Sequence, residues 1–127
     1  LARKAMDLAK AYGAGRKVGG TPIFNHQGLT FPLADGLTKI HAAELMIRNA
    51  ACLADAGRPF RLETSMAKLF ATEMASEVAD VALQVHGGYG VFEEYEVSGL
   101  LGEARVLRIL EGTSEIQRLV IARELLA

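Results

Sequence analysis

Tryptophan is absent from these 127 residues, proline occurs three times and cysteine once. A lone Cys52 cannot close an internal disulfide, which excludes a stapled secreted module and points to a reducing compartment. Charge of either sign is not in excess: 14 basic against 15 acidic residues leave a net charge of −1, and the two signs are interspersed. No basic footprint for nucleic acid or an anionic membrane results. No apolar run reaches the length of a membrane span, and Leu1-Ala-Arg-Lys-Ala-Met-Asp7 contains no signal-peptide core. Sustained period-two alternation with β-branched residues is also missing, which argues against strands. The histidines, at 26, 41 and 86, are scattered, and no Glu-x-x-His pairs occur, so no metal site is expected. Cys52 lies in an alanine-rich helical stretch and reads as a small core residue rather than a nucleophile.

What is present is helical periodicity in a chain that is 50% hydrophobic, enough for one globular domain with a real core. Leu1 to about Tyr12 reads as the last turns of a helix that is already running at the first residue, so the chain looks like a piece of a longer one. Gly13, Gly15, Gly19, Gly20 and Pro22 then make a loop to about Leu29. A long helix is expected to start between Leu29 and Pro32 and run to Ala56, with Leu33, Leu37, Ile40, Ala43, Ile47, Ala50 and Ala54 facing the core. Gly36 interrupts it, and Gly57-Arg-Pro59 stops it. Another runs from Leu62–Ser65 to Gly87-Gly88 on a stripe of Phe70, Met74, Val78, Val81 and Val85. A shorter one spans Glu96 to Leu110, and a last one opens at Thr113 or Ser114, where Ser114 and Gln117 have capping-box spacing. The fold class is all-α: an up-down four-helix bundle with a short additional C-terminal helix.

Three stretches carry possible chemistry. Glu111-Gly-Thr-Ser-Glu-Ile-Gln117 puts a carboxylate on a corner beside free N–H groups of a helix start, which favour anions and electron-rich atoms. Its plain alternative is an acid complementing the helix dipole. Arg16-Lys-Val-Gly-Gly20-Thr-Pro-Ile-Phe-Asn-His-Gln27 is a glycine-bearing loop that serves equally as a polar connector or a phosphate contact. Gln84-Val-His-Gly-Gly88-Tyr-Gly90 is a helix C-cap whose glycines also let a phosphate approach the backbone.

Together with Ser65-Met-Ala-Lys-Leu-Phe70 and Glu94-Tyr95, these strings stand in the order seen in the acyl-CoA dehydrogenases, and the chain resembles the C-terminal helical domain of that flavoprotein family from about Tyr12 to Leu126. The resemblance implies that an N-terminal helical domain and a middle β-domain of the complete protein are absent here, and that residues 1–127 are the C-terminal domain. It implies FAD as cofactor, an acyl-CoA substrate and an electron-transfer flavoprotein as acceptor. The implied reaction is α,β-dehydrogenation to a trans-2-enoyl-CoA: Glu111 removes the α-proton while a hydride leaves the β-carbon for the flavin. The N–H of the catalytic Glu helps to bind the thioester oxygen, which is oxyanion-hole logic. A buried acid facing an acyl chain would have its pKa raised toward the operating pH.

By the same resemblance Leu110 and Gly112 would lie at the substrate, and Thr113 and Glu115 near the flavin. Arg16, Gln27, Gln84, Gly87 and Gly88 would reach the flavin of a neighbouring subunit, which implies a homodimer or homotetramer in the bacterial cytoplasm or mitochondrial matrix. Departures occur at Gly19, where the family usually has Phe; at Leu110, where Tyr is common; at Glu96, in place of Pro; and at Leu101-Gly102-Glu103, in place of Tyr-Arg-Asp. An acyl-CoA oxidase would use the same base, and a non-catalytic helical oligomerisation module is the alternative from a different class.

Overall fold

The computed structural model describes residues 1–127. Five helices account for most of it: α1 (Ala2–Gly15), α2 (Gln27–Asp55), α3 (Arg61–His86), α4 (Val97–Leu107) and α5 (Ser114–Leu126). The all-α expectation holds. No helix is long and apolar enough to cross a membrane.

Helix α3 is the axis of the bundle, and each of the other four helices packs on it. Its expected stripe is largely inside: Met74, Val78 and Val85 are buried, and Phe70 and Val81 half-buried. Ala75, Ala79 and Ala82 are buried as well, and such short side chains let several helices approach one. One continuous core joins them to Ala5, Met6 and Ala9 of α1, Ile40 and Ala43 of α2, and Val97, Leu100 and Ala104 of α4. Burying a single valine such as Val78 contributes about 1.5–3 kcal/mol. Helix α5 differs, because its one buried residue is the polar Ser114.

Five expectations are corrected. The connector after α1 is not wholly loop: β1 (Lys17–Val18) and β2 (Thr21–Pro22) form a two-stranded antiparallel hairpin, followed by a 3₁₀ turn at Ile23–Asn25. Gly19 and Gly20, at φ 57° and 81°, supply the two left-handed residues of its tight turn. Strands two residues long leave no alternation to detect. Helix α1 runs past Tyr12 to Gly15, because Gly13 is where the Phe24 ring packs, and tertiary contact overrides glycine's low propensity.

Helix α2 starts at Gln27, ahead of Leu29, with Pro32 inside it. Proline has no N–H to donate to the Gly28 carbonyl, so one helical hydrogen bond is missing there. On the same helix Leu37, Ile47 and Ala54 are exposed, whereas Gly36, Ile40, Ala43 and Ala50 are buried. Exposed and buried positions alternate along the helix, so the rest of the chain covers only part of that pattern. Cys52, expected in the core, is exposed; it stands off that pattern, between Ala50 and Ala54.

Candidate functional site

The site residues fall at two places along α3. Over its N-terminal half lies the corner between α4 and α5. Helix α4 stops at Leu107, short of the expected Leu110, and the chain turns through residues 108–112 before α5 begins. Within that turn Glu111 has φ 54°, the one non-glycine residue of the chain with a left-handed backbone, and Gly112 follows at φ 88°. Such a conformation costs an L-residue about 1–3 kcal/mol and persists only where its surroundings enforce it.

The surroundings are specific. The Gln117 Nε2 group donates to the carbonyl oxygens of Glu111 (3.3 Å) and Gly112 (3.4 Å). Lys68 of α3 donates from Nζ to the Gly112 carbonyl at 2.6 Å, and the Ser114 N–H closes the turn on the Arg108 carbonyl at 3.1 Å. The Arg108 Nε lies 2.8 Å from Glu73 Oε2, and Arg118 Nη2 lies 3.9 Å from Glu73 Oε1. The Ser114 hydroxyl, followed by Arg108, holds the Glu73 carboxyl below the usual glutamate range. Glu73 thereby ties both sides of the corner to α3.

Thr113 is the N-cap of α5, and its Oγ1 accepts from the Ile116 N–H at 3.3 Å. The expected Ser114–Gln117 capping box is not formed: Ser114 is buried in the first helical position, and Gln117 reaches back to the turn instead. Glu115 supplies the acid of the first turn. Its carboxyl is held below the usual range by its own backbone N–H and then by the Thr113 hydroxyl. The dipole-complementing role is thus filled by Glu115 and leaves Glu111 without it.

Glu111 is exposed rather than buried, as are Ile109, Leu110 and Ile116 around it. The expectation of a buried acid is not met by these residues, because nothing in the chain covers this face of the turn. The Glu111 carboxylate forms no ion pair or hydrogen bond in the chain, and the N–H groups of Glu111, Gly112 and Thr113 donate to no protein acceptor. An open carboxylate beside three uncommitted N–H donors can take a proton and steady a developing oxyanion in one place.

At the C-terminal end of α3 lies an open cavity of about 610 Å³, lined by Arg16, Val18, Ile23, Leu29, Val85, His86, Gly87, Gly88, Tyr89 and Phe92. Gly87 is the helix C-cap at φ 61°, its N–H on the Gln84 and Leu83 carbonyls, as the paired glycines led one to expect. The Arg16 Cζ stands 5.6 Å over the Tyr89 ring, a cation–π contact. Buried His86 stacks on Tyr12 at 4.4 Å, and its Nδ1 lies 2.7 Å from the Ala82 carbonyl oxygen. The structure therefore brings Arg16, Gly87 and Gly88 together. Gln27 and Gln84 are exposed nearby in sequence but do not line the cavity.

The 18 residues from Lys68 to His86 put about 27 Å of helix between the corner and the cavity. They are separate sites on one rod.

Residues 1–126 match the family described as acyl-CoA dehydrogenase, C-terminal domain. The chain belongs to the acyl-CoA dehydrogenase family. It is 48% identical over 126 residues to a Bacillus subtilis protein named "Probable acyl-CoA dehydrogenase YngJ", and 44% identical over 126 residues to the 3-(aryl)acrylate reductase of Clostridium sporogenes. Each alignment takes in 99% of this chain and 33% of the relative. Butyryl-CoA dehydrogenase from Megasphaera elsdenii has the same fold, with TM-score 0.96 and 36% identity, over 99% of this chain and 33% of that one. The chain thus spans about a third of the length of the relatives it matches.

In this acyl-CoA dehydrogenase domain, sequence reading missed Lys68, Glu73 and Arg108, which meet only through the packing of α3 on the corner. Lys68 and Tyr89 both stood inside recognised strings, Ser65–Phe70 and Gln84–Gly90. The strings were the available signal, but nothing in them assigned either side chain a contact.

Proposed function

We propose that the complete protein bearing this domain is an FAD-dependent enzyme that dehydrogenates an acyl-CoA thioester to a trans-2-enoyl-CoA, with Glu111 as the base. The observation that carries this reading is the corner itself: in a member of this family, an unpaired carboxylate on a left-handed backbone adjoins three uncommitted N–H groups. A thioester acidifies its α-protons by delocalising charge onto its oxygen. Glu111 takes the proton, and the Glu111 N–H donates to that oxygen as its charge grows. Leu110 and Gly112 flank the acyl group and thioester. Burial of the carboxylate comes from the N-terminal helical and middle β-domains, which the complete protein adds.

The cavity at the C-terminal end of α3 fits a nucleotide cofactor. No atom lies within 4 Å of where a Cβ would stand on Gly87 or Gly88, so a phosphate can approach that backbone, and the Arg16 guanidinium supplies the opposing charge. Arg16, Gln27, Gln84, Gly87 and Gly88 hold part of the FAD of a neighbouring subunit, and Thr113 and Glu115 stand near the FAD of their own. The distance between the two sites supports this division and the homodimer or homotetramer it requires. When bound, the flavin accepts the hydride from the β-carbon, and an electron-transfer flavoprotein takes the electrons onward.

A second reading, reduction of a 2-enoyl thioester, is favoured by the relative named as an arylacrylate reductase; there Glu111 returns a proton to the α-carbon. The test is anaerobic addition of an acyl-CoA panel to the full-length protein and to Glu111→Gln, followed through the oxidised-flavin absorbance. Bleaching in the wild type but not in Glu111→Gln is expected. Equal bleaching in both moves the base elsewhere. Reduction of enoyl-CoA by the reduced protein without oxidation of any acyl-CoA selects the reductase, and re-oxidation by air at the turnover rate selects the oxidase. A parent that binds no flavin supports the non-catalytic module.

A further inference from the structure

We infer that Lys68 is a positioning residue for the proton-transfer step, acting through the Gly112 carbonyl on the backbone of Glu111. The inference rests on the reading of Glu111 as base.

Lys68 lies on α3, 43 residues before Glu111 in the sequence, and is half-buried. It pairs with no carboxylate, and its one hydrogen bond runs to the Gly112 carbonyl at 2.6 Å. A partly buried ammonium normally seeks an acid. Spending it on a neutral carbonyl makes a charge-assisted bond, shorter and stronger than the two long bonds from Gln117 to the same turn. The bonds act on the peptide planes that follow Glu111: Gln117 holds the carbonyl of residue 111, and Lys68 with Gln117 holds that of 112. Fixing those two planes fixes ψ of Glu111 and the directions of the Gly112 and Thr113 N–H groups, neither of which has an acceptor in the chain.

The left-handed φ of Glu111 makes this restraint consequential, since a strained residue relaxes toward ordinary backbone when its pins are removed. Relaxation carries the carboxylate and its neighbouring N–H donors away together. The anchor is rigid as well. Lys68 stands on the central helix, whereas the corner joins α4 to α5, and α5 contributes only Ser114 to the interior. Glu73, five residues on along α3, seats the same corner through Arg108 and Arg118. The lysine sets the backbone between those two seats.

The experiment uses the full-length flavoprotein as wild type, Lys68→Met, Lys68→Arg and Glu111→Gln. Measured are flavin content, thermal melting, acyl-CoA affinity, the anaerobic rate of flavin reduction, and the isotope effect with α-deuterated acyl-CoA. Displacing a reacting group by about 1 Å costs on the order of a hundredfold in rate, so Lys68→Met is expected to reduce flavin about a hundredfold more slowly. Its affinity for acyl-CoA should change by less than about threefold, the pattern of an interaction that matters in the transition state. The α-deuterium isotope effect should rise, and Lys68→Arg should recover most of the rate. A smaller fraction of properly folded enzyme lowers the amplitude of bleaching but leaves the rate constant and the isotope effect where they were. If Lys68→Met is unstable, Lys68→Gln, which keeps a donor without the charge, takes its place with an intermediate rate expected.

A wild-type rate and isotope effect in Lys68→Met, with Glu111→Gln inactive, overturns the role of Lys68 and leaves the base assignment standing. An active Glu111→Gln overturns the base assignment and this inference with it.

Discussion

Replacing Glu111 with glycine separates the backbone strain at this residue from its chemistry. The reference is Glu111→Ala, which loses the same carboxylate but keeps a Cβ. At φ 54° the left-handed conformation costs an L-residue about 1–2 kcal/mol. Glycine escapes that cost but brings extra unfolded-state freedom worth about 0.4–1 kcal/mol. The net expectation is that Glu111→Gly is about 0.5–1 kcal/mol more stable than Glu111→Ala. No contact term disturbs the comparison, since the side chain has no partner and Gln117 bonds to the carbonyl of residue 111 whatever the side chain. The assay is thermal and urea unfolding of this chain, followed by helical circular dichroism. For a domain of this size about 1 kcal/mol corresponds to about 4 °C, so the glycine variant should melt about 2–4 °C higher. Equal or lower stability of the glycine variant, at an unchanged urea slope, refutes the reasoning, because Glu111 is then not held in a left-handed state. On the proposed reading both variants lose the base, and the natural residue is a stability sacrifice made for a carboxylate at that angle.

Two further outcomes test the packing and the electrostatics. A Cβ on Gly13 would stand 2.1 Å from Phe24 Cζ, so Gly13→Ala should destabilise by about 1–3 kcal/mol despite alanine's higher helix propensity. Phe24→Leu in the Gly13→Ala background should recover part of that loss in a double-mutant cycle, and simple additivity would contradict the contact. The Glu73 carboxyl is held below the ordinary value of 4.5, chiefly by Ser114 and then Arg108. A folded pKa below the unfolded one contributes stability that is present above the unfolded value and lost as pH falls through the folded one. Wild-type stability should therefore decline below about pH 4.5 more steeply than that of Glu73→Gln; parallel profiles would remove Glu73 from the network.

Helix number, order and type were legible in the residues because amphipathic periodicity is local. The stripe of Met74, Val78 and Val85 needs only the 3.6-residue repeat to be read, and Gly87-Gly88 ends α3 wherever the helix is placed. The same locality explains the misses. The turn at Gly19-Gly20 has strands too short to alternate, and the continuation of α1 through Gly13 depends on Phe24 arriving from a later segment. Leu37, Ile47 and Ala54 satisfied a pattern, but the identity of the facing helix decides which part of a pattern is covered.

The sequence by itself determined which residues stand at the corner: the order Glu111-Gly112-Thr113-Ser114 places an acid, a residue free to turn and a cap in a row, and the family strings carry the resemblance. Only the tertiary structure decided how that acid is held. The charge of Lys68 acts on a carbonyl 44 residues away, and Glu73 joins Arg108 to Arg118, because α3 passes beneath the turn. It also decided that Arg16 and Gly87 share one cavity about 27 Å along that helix from the corner. Side-chain type and spacing are properties of the chain, whereas distance between remote segments is a property of packing, and the candidate site is made of such distances.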